Sequence, residues 1–302
     1  MGVLRLGYLH VRETDLASAR QYYGETLGLT LMNEEPGKLY FKAWDEWDHH
    51  HLVLEEGGAG LAKFGFKVSG LDELERLEKG MRNFGLETVR MSKNETLAVG
   101  QGVRAVLPSG HIMELYHDIE YAGTAVGTVN PPVRPRHLEG IGVPRLDHAL
   151  LTTEDPALME RLFTEVLGFR ASHRLVTELG DKGDLIATWL FTTHKSHDIA
   201  FIKGPSGKLH HFAYRVMDWS AIRHGGEILS MDNVPVAFGP DIHGLTRGQT
   251  IYFFDPSGNR NEIFSSDVET AADFPTVTWT REQIGHASYI GREVKESHFS
   301  VT

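Results

Sequence analysis

Cysteine is absent from all 302 residues. Without a thiol there is no disulfide framework, no thiolate nucleophile, no zinc ribbon and no iron–sulfur cluster. Basic residues are also short. Thirty Lys and Arg stand against 41 Asp and Glu, a net charge of −11, and no basic run could grip a phosphate backbone. That balance excludes a nucleic-acid partner. No apolar stretch reaches the roughly 18 residues that would cross a bilayer. The opening Met1–Gly2–Val3–Leu4–Arg5 lacks the basic-then-apolar pattern of a leader. A cytoplasmic protein with no membrane partner is expected. What the chain has in quantity is histidine, 17 in all. A transition metal would have to be held by imidazole and carboxylate. Hydrophobic residues make up 41%, enough for a packed core, and the length predicts about two domains.

The chain repeats itself. Arg5–Leu6–Gly7–Tyr8 returns 140 residues later as Arg145–Leu146–Asp147–His148, and Leu27–Gly28–Leu29 as Leu167–Gly168–Phe169. Val68 and Pro108–Ser109–Gly110 return 148 residues later as Val216 and Pro256–Ser257–Gly258. Between these marks lie helical patterns. Leu16, Ala19, Tyr23 and Leu27 follow Thr14/Asp15; Leu158, Leu162 and Val166 follow an Asp155 cap and Pro156. Leu71, Leu74 and Met81 suggest a third helix, and Trp219, Ile222 and Ile228 a fourth, weakened by Gly225–Gly226. Short β-rich runs follow: Lys38–Trp44, His51–Leu54, Trp189–Thr193, Ile199–Lys203 and Ile251–Phe254. Four βαβββ units result, at 4–56, 62–118, 145–203 and 209–265. They predict an α+β fold of two open-barrel domains. The N-terminal domain covers 1–130, a linker rich in proline covers 131–144, and the C-terminal domain with its tail covers 145–302.

A duplicated chain supplies its own control. His148 opens the third unit, His211 stands at the matching place in the fourth, and Glu262 follows Pro256. Their counterparts are Tyr8, Lys63 and Glu114. Two imidazoles and a carboxylate on separate strands can occupy one face of a metal and leave the other face open. Lys63 would repel a cation, so the metal belongs in the C-terminal half. His243 replaces Glu95, Tyr252 replaces Arg104, and His197 answers His50. These imidazoles and the phenol can exchange protons near neutral pH. His210 points to the opposite face if its strand is regular. The His49–His50–His51 run reads as a solvated loop in the half without a metal.

The spacing from His243 to Tyr252, then Asp255–Pro256–Ser257–Gly258, then Glu262, resembles the signature of the type I extradiol ring-cleavage dioxygenases, catechol 2,3-dioxygenases among them. Leu146–Asp147–His148–Ala149–Leu150, His197–Asp198–Ile199, Leu209–His210–His211, Thr278–Trp279–Thr280, Tyr40–Phe41–Lys42–Ala43–Trp44 and Pro108–Ser109–Gly110–His111 extend the resemblance over nearly the whole chain. It implies a two-domain vicinal-oxygen-chelate fold with Fe(II), or Mn(II), on His148, His211 and Glu262. It implies proton-handling roles for His197, His243 and Tyr252. His243 and Tyr252 would bond the diol oxygens, and His197 would face O2 as the acid. Trp189 stands where the resemblance leads one to expect a pocket Phe. The tail reads Ala287–Ser288–Tyr289–Ile290–Gly291 in place of an aromatic–Tyr–His stretch. The implied reaction is cleavage of catechol, or an alkyl- or halo-catechol, beside the diol. The product is a 2-hydroxymuconate semialdehyde, with O2 as co-substrate, in a homotetramer serving aromatic-compound degradation. Other readings are a two-ring diol such as 2,3-dihydroxybiphenyl, a glyoxalase-type metal isomerase, and a drug-sequestering module without a metal.

Overall fold

Each unit opens on a strand, turns, runs into a helix and returns through three further strands. The computed structural model describes residues 2–283 and 296–302, so Ala287–Ser288–Tyr289–Ile290–Gly291 lies outside the described residues. The first unit is β1 (Val3–Glu13), α1 (Leu16–Gln21), β2 (Thr30–Glu35), β3 (Lys38–Lys42) and β4 (Leu52–Glu56). The second is β5 (Gly60–Val68), α2 (Leu71–Phe84), β6 (Thr88–Met91), β7 (Gly102–Val106) and β8 (Ile112–Tyr116). The third is β9 (Arg145–Thr153), α3 (Pro156–Arg161), β10 (Arg170–Val176), β11 (Leu185–Phe191) and β12 (Ile199–Lys203). The fourth is β13 (Lys208–Arg215), α4 (Trp219–Met231), β14 (Val236–Ile242), β15 (Gln249–Phe254) and β16 (Arg260–Ser265).

Local chemistry accounts for the helix ends. The Asp15 carboxylate accepts from Ala17 N and that of Asp155 from Leu158 N, satisfying amides that have no partner inside a helix. Both helices run on into a π-helical turn, Tyr22–Thr26 and Leu162–Val166, and then meet Gly28 and Gly168 at φ 76° and 78°. Only glycine adopts that left-handed turn without strain. The Gly225–Gly226 pair does not interrupt α4. A Cβ on Gly225 would lie 2.3 Å from Ile263 Cδ1, so the bare backbone is what lets α4 approach β16. The strand expected at Trp189–Thr193 stops at Phe191, because Thr192 N and Thr193 N turn to donate to Asp198 Oδ2.

The N-terminal half forms one sheet in the order β2-β3-β4-β1-β5-β8-β7-β6. The C-terminal half forms the order β14-β15-β16-β13-β9-β12-β11-β10, extended by β17 (Val277–Thr280) in parallel with β10. In both, the two units join where their first strands pair antiparallel, β1 with β5 and β9 with β13. These are two copies of one curved design in a mixed α+β fold. Their helices share one buried apolar core, in which Phe66 of the first half packs edge-on to Phe163 and Phe169 of the second. No described helix is long and apolar enough to cross a membrane.

The His49–His50–His51 run departs from the solvated loop expected of it. His50 and His51 are buried. The run enters β4, where His51 O accepts from Leu9 N and His51 Nδ1 accepts from Ala43 N. Neighbouring strands cover it, and the ring of His50 lies 5.7 Å from that of Tyr8.

Candidate metal centre

His148 on β9, His211 on β13 and Glu262 on β16 belong to three adjacent strands, 63 and 51 residues apart in sequence. The structure brings them together. His148 Nε2 lies 3.2 Å from His211 Nε2, and each nitrogen lies 3.1 Å from Glu262 Oε2. All three side chains are buried, and they are the group among the described residues whose donor atoms could share one ion. Thr250 Oγ1 donates to the other oxygen of Glu262 at 2.5 Å, and Asp147 Oδ2 accepts from His148 Nδ1 at 2.7 Å.

The electrostatics ask for a cation. Burial alone would raise Glu262, but hydrogen bonds from the imidazoles around it, that of His148 foremost, hold it well below the usual carboxylate range. Burial pushes His211 down to about 4. Burial would also lower His148, yet Asp147 and Glu262 against its two nitrogens raise it to about 9. The difference between the two imidazoles is the second carboxylate on His148. The negative charge gathered around that ring is what a bound cation would offset. Two imidazole nitrogens and a carboxylate oxygen, fixed by neighbours and converging on one point, fit a divalent ion.

The other expected residues surround this point. His197 sits in the turn before β12, its ring centre 3.9 Å from that of His148. Its Nδ1 is 2.8 Å from Ser196 Oγ, and burial first, then the charge of His148, keeps it well below the usual histidine range. His243, after β14, places Nε2 2.9 Å from Tyr252 Oη and 3.5 Å from Glu262 Oε1. Tyr252 lies directly across from Glu262 in the β15–β16 pair. A partly enclosed cavity opens over the group. Its apolar wall includes Leu175, Trp189, Ile202, Leu245, Phe264 and Phe299.

Two lining residues fall outside what strand alternation could supply. His298 and Phe299 arrive from the C-terminal tail. His210 also lines the cavity, because β13 is not regular there: its register against β9 slips between Leu209 and His211. A slip leaves no mark in residue type, so alternation points His210 the wrong way.

The N-terminal copy shows what replaces the ion. Glu114 is fully buried, 3.0 Å from Lys63 Nζ and 2.7 Å from Arg104 Nε, and Tyr8 Oη donates to its other oxygen. Lys63 fills the place of His211 and Arg104 that of Tyr252, each at the same register position. Arg104 also pairs with Glu95, the counterpart of His243.

Comparison with known proteins agrees with this geometry. Residues 145–263 match the family model described as the glyoxalase/bleomycin resistance protein/dioxygenase superfamily. Residues 62–120 match the catechol 2,3-dioxygenase-like N-terminal domain. The chain is 38% identical to the metapyrocatechase of Pseudomonas sp. (strain CF600), over 99% of this chain and 97% of that one. Among solved structures it is similar to the 2,3-dioxygenase LapB from Pseudomonas sp. KL28, with TM-score 0.89 and 40% identity, covering 94% of this chain and 99% of that one. Homoprotocatechuate 2,3-dioxygenase from Arthrobacter globiformis follows at TM-score 0.88 and 27% identity, covering 100% and 92%. With its duplicated fold and buried His–His–Glu group, the chain belongs to the extradiol ring-cleavage dioxygenases of the metapyrocatechase (catechol 2,3-dioxygenase) family.

Proposed function

We propose that this chain is an Fe(II)-dependent catechol 2,3-dioxygenase. It adds both atoms of O2 to catechol or an alkyl- or halo-catechol and opens the ring beside the diol to a 2-hydroxymuconate semialdehyde. The observation that carries the reading is the convergence of His148, His211 and Glu262 under an apolar cavity that also holds His197, His243 and Tyr252. The first three would hold the metal, and iron suits a set of two imidazoles and one carboxylate. Bound there, iron supplies an electron path between a diol and O2, which do not react directly.

The remaining roles fall to the chain. The hydrogen-bonded His243–Tyr252 pair orients the diol, and a hydroxyl proton passes to His243 Nε2. His197 is buried and neutral with Nδ1 engaged by Ser196, so its Nε2 receives a proton and returns it to oxygen as the ring opens. Trp189 and its apolar neighbours exclude water and set which ring substituents fit. Residues 1–130 form the non-catalytic domain, 131–144 the linker and 145–302 the catalytic one. Family membership supports a homotetramer working in the cytoplasm.

Anaerobic loading with Fe(II), then catechol, then O2, tests the reading. A yellow ring-fission product with matching O2 uptake is expected. No product and no uptake across several catechols would overturn it.

A further inference from the structure

The register of the β9–β13 pair breaks twice. Ala213 pairs with His148 and Tyr214 with Leu146, so Asp147 is an extra residue on β9. Leu150 pairs with His211 and Leu151 with Leu209, so His210 is an extra residue on β13. In a regular strand each would face away from the residue beside it. Here each turns toward it. Asp147 Oδ2 lies 2.7 Å from His148 Nδ1, and His210 Nδ1 lies 2.7 Å from His211 Nδ1.

The first contact has one direction, since a carboxylate accepts. The second joins two imidazoles, and the tail decides which one donates. His210 Nε2 lies 2.6 Å from the backbone carbonyl oxygen of His298. A carbonyl only accepts, so Nε2 carries the proton. Arg260 Nη1, which can only donate, is 3.2 Å from the same ring nitrogen, but His298 O is the nearer partner of that nitrogen, and Ser300 O at 3.0 Å and His210 O at 3.3 Å accept the guanidinium hydrogens. A positive charge on that ring would also stand against the guanidinium. The neutral ring fits, with Nδ1 bare. His211 Nδ1–H then donates to it, and the His211 Nε2 lone pair is left for the ion that Glu262 and His148 would share. Arg260 also holds the tail in place, donating to Ser300 O at 3.0 Å, Ser300 Oγ at 2.7 Å and Ser297 O at 3.2 Å. Thr302 exchanges both backbone hydrogen bonds with Leu209.

The N-terminal copy is again the control. Its β1–β5 pair slips at the same two places, and the extra residues there are Gly7 and Ala62. The slips belong to the duplicated scaffold. Asp147 and His210 accompany the His–His–Glu group alone.

We propose that His210 is a positioning residue for His211, fixed in its tautomer by the docked tail, so that residues 296–302 contribute to metal affinity. This rests on the reading that His148, His211 and Glu262 hold the metal. The test is Fe(II) affinity of the full, metal-free chain, measured without air against a competing chelator, beside nitrogen NMR of the imidazoles. His210→Leu should weaken binding about 10–100-fold, the usual scale for such outer partners. His210→Asn, whose Oδ1 stands where Nδ1 stood and accepts, should recover most of the loss. Truncation before Glu296 should weaken binding by about tenfold or more. In the unaltered chain His211 should be protonated on Nδ1. Unchanged affinity in His210→Leu, or His211 protonated on Nε2, overturns the proposal. The tautomer and the Asn variant decide it even where the Leu variant does not fold. An unaltered chain that binds no Fe(II) overturns the parent reading instead.

Discussion

At the scale of single residues, imidazoles in the C-terminal half differ by what touches their nitrogens. His148 has a carboxylate on each side and is raised against its burial; His197, with no carboxylate on its ring, is lowered by burial first and then by the charge of His148. The first is set to hold a cation, the second to hold a proton only in passing. His197→Phe should therefore lower kcat by roughly a hundredfold or more while metal content stays at the unaltered level. Metal analysis beside steady-state O2 uptake checks this, and loss of metal in that variant would remove His197 from the proton-transfer role. These residues were legible because the duplication exposes them. His148, His211 and Glu262 stand where Tyr8, Lys63 and Glu114 stand in the other copy, and a difference in residue type can be read without coordinates. His298 was not legible. Its place depends on a tail docked through Arg260, and no period or spacing in the sequence encodes that contact.

At the scale of elements, the repeat of strand, helix and three strands was readable from apolar periodicity and from Asp caps and Gly stops. Strand register was not. Side-chain alternation assumes a regular strand, and the slips at Asp147 and His210 break that assumption where the chemistry lies. Helix α4 shows the opposite error. Gly225–Gly226 reads as a break by propensity, yet its lack of a side chain is a packing device. Gly225→Leu should force α4 from β16 against Ile263 and Ile141 and destabilise by about 1–3 kcal/mol. A thermal melt should fall by roughly 2–4 °C per kcal/mol for a domain of this size. An unchanged melt would show that α4 does not need that approach.

At the scale of the molecule, the halves meet through buried polar groups as well as the shared core. Tyr23 Oη donates to Asp255 Oδ2 at 2.8 Å, Tyr22 Oη to Asn261 Oδ1 at 2.7 Å, and Asn259 Nδ2 to Arg12 O at 3.0 Å. Glu13, wholly buried in this seam, is raised far above the usual carboxylate range by burial first and then by the charge of Asp255. A carboxyl with a raised folded-state value binds its proton more tightly folded than unfolded. Its contribution is present below its ordinary value of 4.5 and is lost progressively as pH rises toward the raised one. Glu13→Gln should flatten that fall between about pH 4.5 and about pH 9, read as denaturant midpoints across pH; an identical slope in both chains would rule Glu13 out as its source. The seam also joins two kinds of permanence. Glu114 is neutralised by Lys63 and Arg104, cations built into the backbone's own sequence, whereas Glu262 faces neighbours that would share an exchangeable ion. A chelator can strip the second and can do nothing to the first. The N-terminal copy therefore stays charge-balanced whatever the supply of metal, a fixed mould against which the other half can be emptied and refilled.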